Sequence, residues 1–204
     1  MSEEQSPGNT TGGGDVVDLL LRQHGALRRL CEEVVSAAPG GKEEPFRSLV
    51  RLMAVHEAVE EEIVHPYVKR RVGASAGVDN LLDEEREVKQ MLVALDALGP
   101  SGAGFDALFD QFRTTLLAHA SKEEKGEFAG LREKTSAKER TAMAAAVRMA
   151  AMLAPTHPHP GLESQARSVL VGTPMAMIDR ARDMLRDAMA TRSRSDDAPG
   201  TPPG

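Results

Sequence analysis

Residues 55–66, with the sequence VHEAVEEEIVHP, contain two histidines and four glutamates. His56 and Glu60 lie four positions apart, so in a helix both side chains project from one face and can bind the same metal ion. A second pair with this spacing, His119 and Glu123, lies in the segment LAHASKEE. Both pairs interrupt apolar stripes, where an unpaired carboxylate costs several kcal/mol unless a cation compensates its charge. The two pairs therefore predict a metal site between helices.

Two further ionisable residues interrupt apolar stripes at a matching height. His24 lies on the stripe of the first predicted helix, and Glu85 lies on that of the third, where Glu84 and Glu87 fall off the apolar face. In antiparallel helices, residues equally far from a connecting loop lie at one level. The predicted ligands are three imidazoles and three carboxylates, namely His24, His56, Glu60, Glu85, His119 and Glu123. Their combined charge of −3 would neutralise most of the charge of two ferrous ions.

Each of these residues also has a purely structural interpretation. A lone histidine on an apolar stripe, such as His24, is more often a hydrogen-bonded core residue than a metal ligand. Six such residues on four helices at one depth favour the metal site. Cys31, two turns from His24, is interpreted as a small core residue, with a redox-sensing thiol as the alternative. His157 and His159, which lie between prolines in a loop, are interpreted as structural.

The elements that would position these residues are long helices. Hydrophobic residues make up 41% of the 204-residue chain, but with five Phe, one Tyr and no Trp the core must consist of Ala, Leu, Val and Met. This composition, without alternating apolar and polar segments, predicts an all-α fold. Four helices are predicted, at about residues 15–38, 43–71, 78–98 and 105–134. Their short connections predict an up-down-up-down four-helix bundle over residues 14–134.

The remaining segments are predicted from composition. Residues 1–13 are small and polar and are predicted to be disordered, as is the tail at residues 193–204. Residues 135–192 are predicted to form additional C-terminal helices, at about 136–153 and 174–191. These Met-rich helices would pack on the bundle or form a dimer.

Charge and composition disfavour several classes of function. The net charge of −6 and the isoelectric point of about 5.6 argue against nucleic-acid binding, because phosphate contacts need a basic surface. The sequence has no apolar run near the roughly 20 residues of a membrane span, and its N-terminus lacks a signal pattern. The single cysteine excludes an intramolecular disulfide and suits a reducing compartment. We therefore expect a cytoplasmic protein, monomeric or homodimeric, that binds neither nucleic acid nor membrane.

From about residue 15 to residue 134, the chain resembles the hemerythrin-like (HHE cation-binding) family. The matching segments are RQHGAL with His24, VHEAVEEEIVHP with His56 and Glu60, and LAHASKEE with His119 and Glu123. The resemblance implies a four-helix bundle around a non-haem di-iron centre in which Glu60 and Glu123 bridge the two iron ions. The ligand set leaves room for an oxo or hydroxo bridge, and manganese in place of iron is the alternative.

The third helix departs from the family pattern. Relatives carry a histidine at the position of Glu85, and oxygen carriers have a second one a turn later, where this chain has Lys89. The site is therefore poorer in imidazole than that of an oxygen carrier, and carboxylates are harder donors that favour ferric iron. This departure favours turnover of O₂ or peroxide, or redox and NO sensing, over reversible oxygen carriage.

His65 is a further candidate ligand. On a straight helix its side chain points about 180° away from that of His56. It can reach the site only if the helix is distorted, and Pro66 is a residue that can cause such a distortion. His65 would then be either a metal ligand or a proton donor beside the metal.

The residues support three functional hypotheses. The first is a di-iron oxidoreductase that binds and reduces O₂ or peroxide, with Glu60 and Glu123 bridging and the other ligands in terminal positions. The second is a sensor of O₂, NO or iron that acts through a partner, with the C-terminal helices relaying the signal. The third is a metal-free helical adaptor.

Overall fold

The structure is a computed structural model that describes residues 14–73 and 78–153. The described residues form helices and no strands, which confirms the predicted all-α class. The elements are α1 (Val16–Ser36), α2 (Glu43–Val59), a π turn (Glu60–Val64), α3 (His65–Arg71), α4 (Val78–Leu98), α5 (Phe105–Lys125), α6 (Glu127–Lys134) and α7 (Ala137–Leu153). The segments predicted to be disordered and the helix predicted at about 174–191 lie outside the described residues.

Four helical rods form the bundle. The first rod is α1, the second is α2 with the π turn and α3, the third is α4, and the fourth is α5 with α6. α1 packs along α2, and α4 packs along α5, while α1 also contacts α5 and α3 contacts α4. Because the connections at residues 37–42 and 99–104 are short, the helices they join are antiparallel neighbours. The helical rods are therefore those predicted, except that the second and fourth are each interrupted.

The apolar core consists of two clusters on either side of a polar layer. On α1, Leu20 belongs to the first cluster and Leu27 belongs to the second, with His24 between them. On the fourth rod, Leu116 belongs to the second cluster and Phe128 to the first. The metal-ligand candidates thus lie at mid-bundle, enclosed by apolar side chains at both ends, where an uncompensated charge is poorly solvated.

The π turn interrupts the second rod directly before His65. The backbone N–H of His65 donates to the carbonyl of Glu60, five residues earlier, instead of the usual four. Pro66 follows, and it has no N–H to continue a regular ladder. The turn takes up one extra residue, so the side chain of His65 lies about 80° around the helix from that of His56 instead of about 180°. His65 consequently faces the core and is 2% exposed.

The fourth rod is also interrupted, where the sequence predicted one continuous helix. α5 ends at Lys125 and α6 begins at Glu127, with Gly126 between them in a conformation of φ −101° and ψ −74°. Glycine has a low helix propensity because it loses more backbone freedom than other residues. The break is therefore local, and α6 continues the rod with Phe128 and Leu131 in the core.

α7 packs against α1 and α2 and contributes fully buried side chains to the first apolar cluster. It begins with a capping box, in which Ser136 N–H donates to Glu139 Oε2 (2.8 Å) and Glu139 N–H donates to Ser136 Oγ (3.3 Å). Arg71 of α3 donates to the other oxygen of Glu139 at 2.7 Å. These contacts attach α7 to the rod that carries His65. Among the described helices, none is long and apolar enough to cross a membrane.

Candidate metal centre

The structure brings the predicted ligands together in the polar layer at mid-bundle. All six are at most 2% exposed, and so is His65. They come from four helical rods, and local spacing explains the two pairs on the second and fourth rods, since residues four apart share a helix face. Two groups of four residues each have ligand atoms within 4.8 Å of one another.

The first group consists of His24, His56, Glu60 and Glu123. His24 Nε2 lies 3.2 Å from His56 Nε2 and 3.3 Å from Glu123 Oε2. His56 Nε2 lies 3.2 Å from Glu60 Oε2. Adjacent donors bound at about 2.1 Å from one cation are themselves about 3 Å apart, so these distances suit a single ion.

The second group consists of Glu60, His65, Glu85 and Glu123. His65 Nε2 contacts Glu85 Oε1. His119 Nε2 lies 3.2 Å from Glu123 Oε1 and so borders the same group. Glu60 and Glu123 belong to both groups, and each carries two carboxylate oxygens, so each can contribute a ligand atom to both groups.

The buried carboxylates lack the hydrogen bonds that such groups normally have. Within the described residues, no donor is in bonding geometry to either oxygen of Glu60 or Glu123, or to Oε2 of Glu85. Buried polar groups without partners are costly, and a cation is the partner that satisfies several carboxylates at once. Imidazole and carboxylate together suit first-row metals such as iron, manganese and zinc. The residues present therefore fit a metal centre.

The electrostatics of the two bridging candidates differ. Burial raises the pKa of Glu60 well above its usual range, and the charge of Glu123 raises it further. Burial would also raise the pKa of Glu123, but the imidazoles of His119 and His24 outweigh it and lower that pKa. Burial lowers the pKa of His119, yet the nearby Glu123 carboxylate more than reverses this and brings it to about 8.

His65 lies between two carboxylates and differs from His56. Burial lowers its pKa, but the hydrogen bonds from its two ring nitrogens to Glu127 and Glu85 raise that pKa to about 10. The pKa of His56 is lowered to about 3 by burial and by the neighbouring His24. Without a cation, His65 is therefore an imidazolium that offsets carboxylate charge, while His56 is neutral and ready to bind metal.

The four histidines of the polar layer have the same arrangement: Nε2 faces the centre, and Nδ1 faces a side-chain oxygen on the outside. The four pairs are His24 with Glu124 (2.8 Å), His56 with Gln23 (3.1 Å), His65 with Glu127 (2.9 Å), and His119 with Glu84 (3.4 Å). Metal-bound histidines commonly donate their second ring N–H to such an acceptor, which fixes the tautomer and the orientation of the ring.

Comparison with known proteins agrees with this geometry. Residues 15–131 match the family described as Hemerythrin HHE cation binding domain. The chain belongs to this family. The fold of the HHE domain is also found in a solved structure of a hemerythrin HHE cation binding domain-containing protein from Mycobacterium kansasii. That structure has a TM-score of 0.61 and 18% identity, over 82% of this chain and 98% of that one.

A curated relative is larger than the HHE domain. A protein named DNA nickase, from Nostoc sp. (strain PCC 7120), is 26% identical over 126 residues, which are 61% of this chain. The chain spans 36% of the length of that relative. The similarity therefore concerns about a third of that relative.

Two residues of the HHE centre, Glu124 and Glu127, have closer contacts than the sequence indicated. Glu124 lies outside the predicted ligand set, and it contacts both His24 and Arg28. Glu127 was not predicted at all, although it is 0% exposed. Its spacing of four from Glu123, which is itself four from His119, was the signal that could have identified it.

Lys89, at the position where oxygen carriers have a second histidine, serves as a counter-charge. Its Nζ contacts Glu61 and lies 3.3 Å from Glu57 Oε2 and 3.8 Å from Glu85 Oε2. Glu57 is buried, and burial together with the charge of Glu85 raises its pKa to about 7. Glu57 therefore belongs to the edge of the centre and not to the solvated surface.

Cys31 lies in the second apolar cluster and is fully buried. Burial raises the pKa of its thiol to about 12. A protonated, enclosed thiol is unreactive, which agrees with its interpretation as a core residue.

Proposed function

We propose that this HHE domain protein is a non-haem di-iron protein that binds and reacts with O₂ or peroxide. The observation that carries the proposal is the pair of overlapping ligand groups that share Glu60 and Glu123. His24 and His56 would hold one ion, and His65 and Glu85 would hold the other. His119, beside Glu123, would complete the set.

The donor chemistry favours iron that cycles to the ferric state. Three buried carboxylates contribute to the centre, namely Glu60, Glu85 and Glu123. Carboxylates are hard donors that stabilise the higher valence, which works against reversible oxygen carriage. When bound, the two irons would supply the electrons that reduce O₂ or peroxide.

The chain itself would provide enclosure and orientation. Apolar clusters at both ends of the polar layer keep bulk water away from the ligands. Because every candidate ligand is buried, the centre suits small substrates such as O₂ and peroxide better than larger organic molecules. The outer partners on Nδ1 of each histidine hold the rings with Nε2 directed inward.

Iron loading tests this proposal. The protein is loaded with Fe²⁺ without oxygen and then exposed to air, with iron content and near-ultraviolet absorption measured. We expect about two irons per chain, absorption bands that respond to azide or peroxide, and rapid peroxide consumption. Glu60→Gln should lower the iron content, whereas Glu61→Gln, at the neighbouring exposed position, should not. An iron content below about one per chain after reconstitution would contradict the proposal.

A sensor function is the second candidate, and one observation favours it. The contact between Arg71 and Glu139 ties α7 to the rod that carries His65, so a change at the centre could reach the C-terminal region. The same iron-loaded protein separates the two functions. Slow peroxide turnover with an oligomeric state that depends on O₂ or NO would favour sensing.

Nicking of DNA is not part of the proposal. The relative with that name is matched over only 36% of its length, and the net charge of −6 disfavours contact with phosphates. Incubation of the iron-loaded protein with supercoiled plasmid, followed by gel electrophoresis, should leave the plasmid supercoiled. Conversion to the nicked form that stops in the Glu60→Gln variant would contradict this expectation.

A further inference from the structure

We propose that Glu124 and Glu127 are positioning residues, one for each cation of the centre: Glu124 orients His24, and Glu127 orients His65. This inference rests on the proposed function, because it assumes that two cations bind. It assigns a role to two residues that would not themselves touch the metal.

Glu127 holds the histidine that the π turn brings into the core. Its Oε1 accepts from His65 Nδ1 at 2.9 Å, and His65 Nε2 faces Glu85. Glu127 is 0% exposed, and no donor among the described residues bonds to its Oε2. Burying a carboxylate in this way is costly, so its contact with His65 needs a compensating benefit.

Glu124 performs the matching task on the other side of the centre. Its Oε1 accepts from His24 Nδ1 at 2.8 Å and from Arg28 Nη2 at 2.7 Å. Its side chain is 26% exposed, so it is closer to solvent than Glu127. Arg28 holds the Glu124 carboxylate in place, whereas the Glu127 carboxylate is held by the buried side chains around it.

The two residues flank the break at Gly126 and follow the shared ligand Glu123. Residues 123–127 therefore contain Glu123, the carboxylate shared by both groups, and two hydrogen-bond acceptors. One acceptor contacts a histidine of the first group and the other contacts a histidine of the second group. The acceptors reach different rods, since Glu124 contacts α1 and Glu127 contacts α3. This separation allows the two positions to be perturbed independently.

The chemical effect of each acceptor is on the ring nitrogen. An acceptor on Nδ1–H keeps the proton on that atom, leaves the Nε2 lone pair free, and makes the imidazole a stronger donor. Loss of such an acceptor typically lowers metal affinity by about 10- to 100-fold. The effect should fall on one of the two cations in each variant.

The test uses the full chain labelled with ¹⁵N-histidine and titrated with Zn²⁺, which is redox-inert and diamagnetic. Two-bond ¹H–¹⁵N spectra report which nitrogen of each ring carries the proton, and competition with a chelator gives the two affinities. Glu127→Ala should change the ring of His65 and weaken one zinc by about 10- to 100-fold, with His24 unchanged. Glu124→Ala should do the reverse.

Conservative variants distinguish positioning from a general structural role. The amide oxygen of Glu127→Gln can still accept from Nδ1–H, so His65 should keep its tautomer and the zinc affinity should fall less than in Glu127→Ala. Circular dichroism establishes that each variant is folded, and Glu127→Gln carries the test if Glu127→Ala is not. If Glu127→Ala does not fold, a folded Glu127→Gln variant whose His65 tautomer differs from that of wild type would overturn the inference.

The possible failures are separable. If the wild-type chain binds two zinc ions but both alanine variants weaken both ions equally, or neither ion, the positioning roles are wrong and the proposed function stands. If the wild-type chain binds less than about one ion, the proposed function fails and this inference fails with it.

Discussion

Replacement of Glu60 by leucine should have opposite effects on stability with and without metal. Both oxygens of Glu60 are buried and lack donors among the described residues. A polar group buried without hydrogen bonds costs about 1–3 kcal/mol in proteins. Leucine has a similar volume and no such cost, so Glu60→Leu should raise the free energy of unfolding of the metal-free protein by about 1–3 kcal/mol.

With metal present, the order of stability should reverse. A ligand at 100 times its Kd stabilises a folded protein by about 3 kcal/mol. Glu60 belongs to both ligand groups, so Glu60→Leu should lose most of this stabilisation for both cations. The wild-type chain should therefore be the less stable protein in a chelator and the more stable one in excess Zn²⁺.

Urea unfolding measures this reversal. Wild type, Glu60→Leu and the control Glu61→Gln are unfolded in chelator and in excess Zn²⁺, followed by circular dichroism. The side chain of Glu61 is 44% exposed, so its substitution should change stability by less than about 0.5 kcal/mol in either condition. A Glu60→Leu protein that is less stable than wild type in chelator would refute the reasoning, because Glu60 would then stabilise the fold without metal.

Three shorter predictions concern other parts of the chain. His65→Ala should reduce the bound Zn²⁺ from about two ions per chain to about one, as measured by elemental analysis after gel filtration, because His65 belongs to one ligand group only. Cys31, whose pKa is raised to about 12 by burial, should react with a thiol reagent only after unfolding in denaturant. Despite its burial, Glu139 has its pKa lowered from 4.5 to about 2 by Ser136 and Arg71, so it stabilises the fold above pH 4.5 by up to about 3 kcal/mol. This stabilisation is lost as the pH falls from 4.5 to 2, and Glu139→Gln should remove that part of the pH dependence of urea unfolding.

The parts of the structure that the sequence predicted are those set by regular helix geometry. His56 with Glu60, and His119 with Glu123, share helix faces because residues four apart always do. The position of His24 on an apolar stripe also follows from the period of 3.6 residues. These rules are local and need no knowledge of the partner helices, so they could be applied before the fold was known.

The sequence was less informative about residues whose positions depend on departures from regular helix geometry or on contacts between rods. A periodic helix directs His65 away from His56, and only the extra residue of the π turn reverses this. Glu124 and Glu127 received no definite role because their partners lie on other rods, at sequence separations of 100 and 62 residues. Such contacts depend on how the rods pack, which periodicity does not specify.

The two irregular turns lie in the same half of the centre. The π turn precedes His65, and the break at Gly126 precedes Glu127, so both members of this hydrogen-bonded pair follow an interruption of a helix. The same half contains Glu85 in place of the histidine that the family resemblance predicts on the third helix. The two histidines of the first group, His24 and His56, lie on uninterrupted helix, and Glu60, which both groups share, is the first residue of the π turn. Under the proposed function, His65 of the second rod would supply the nitrogen donor that α4 lacks, and π bulges of this kind are frequent at functional sites.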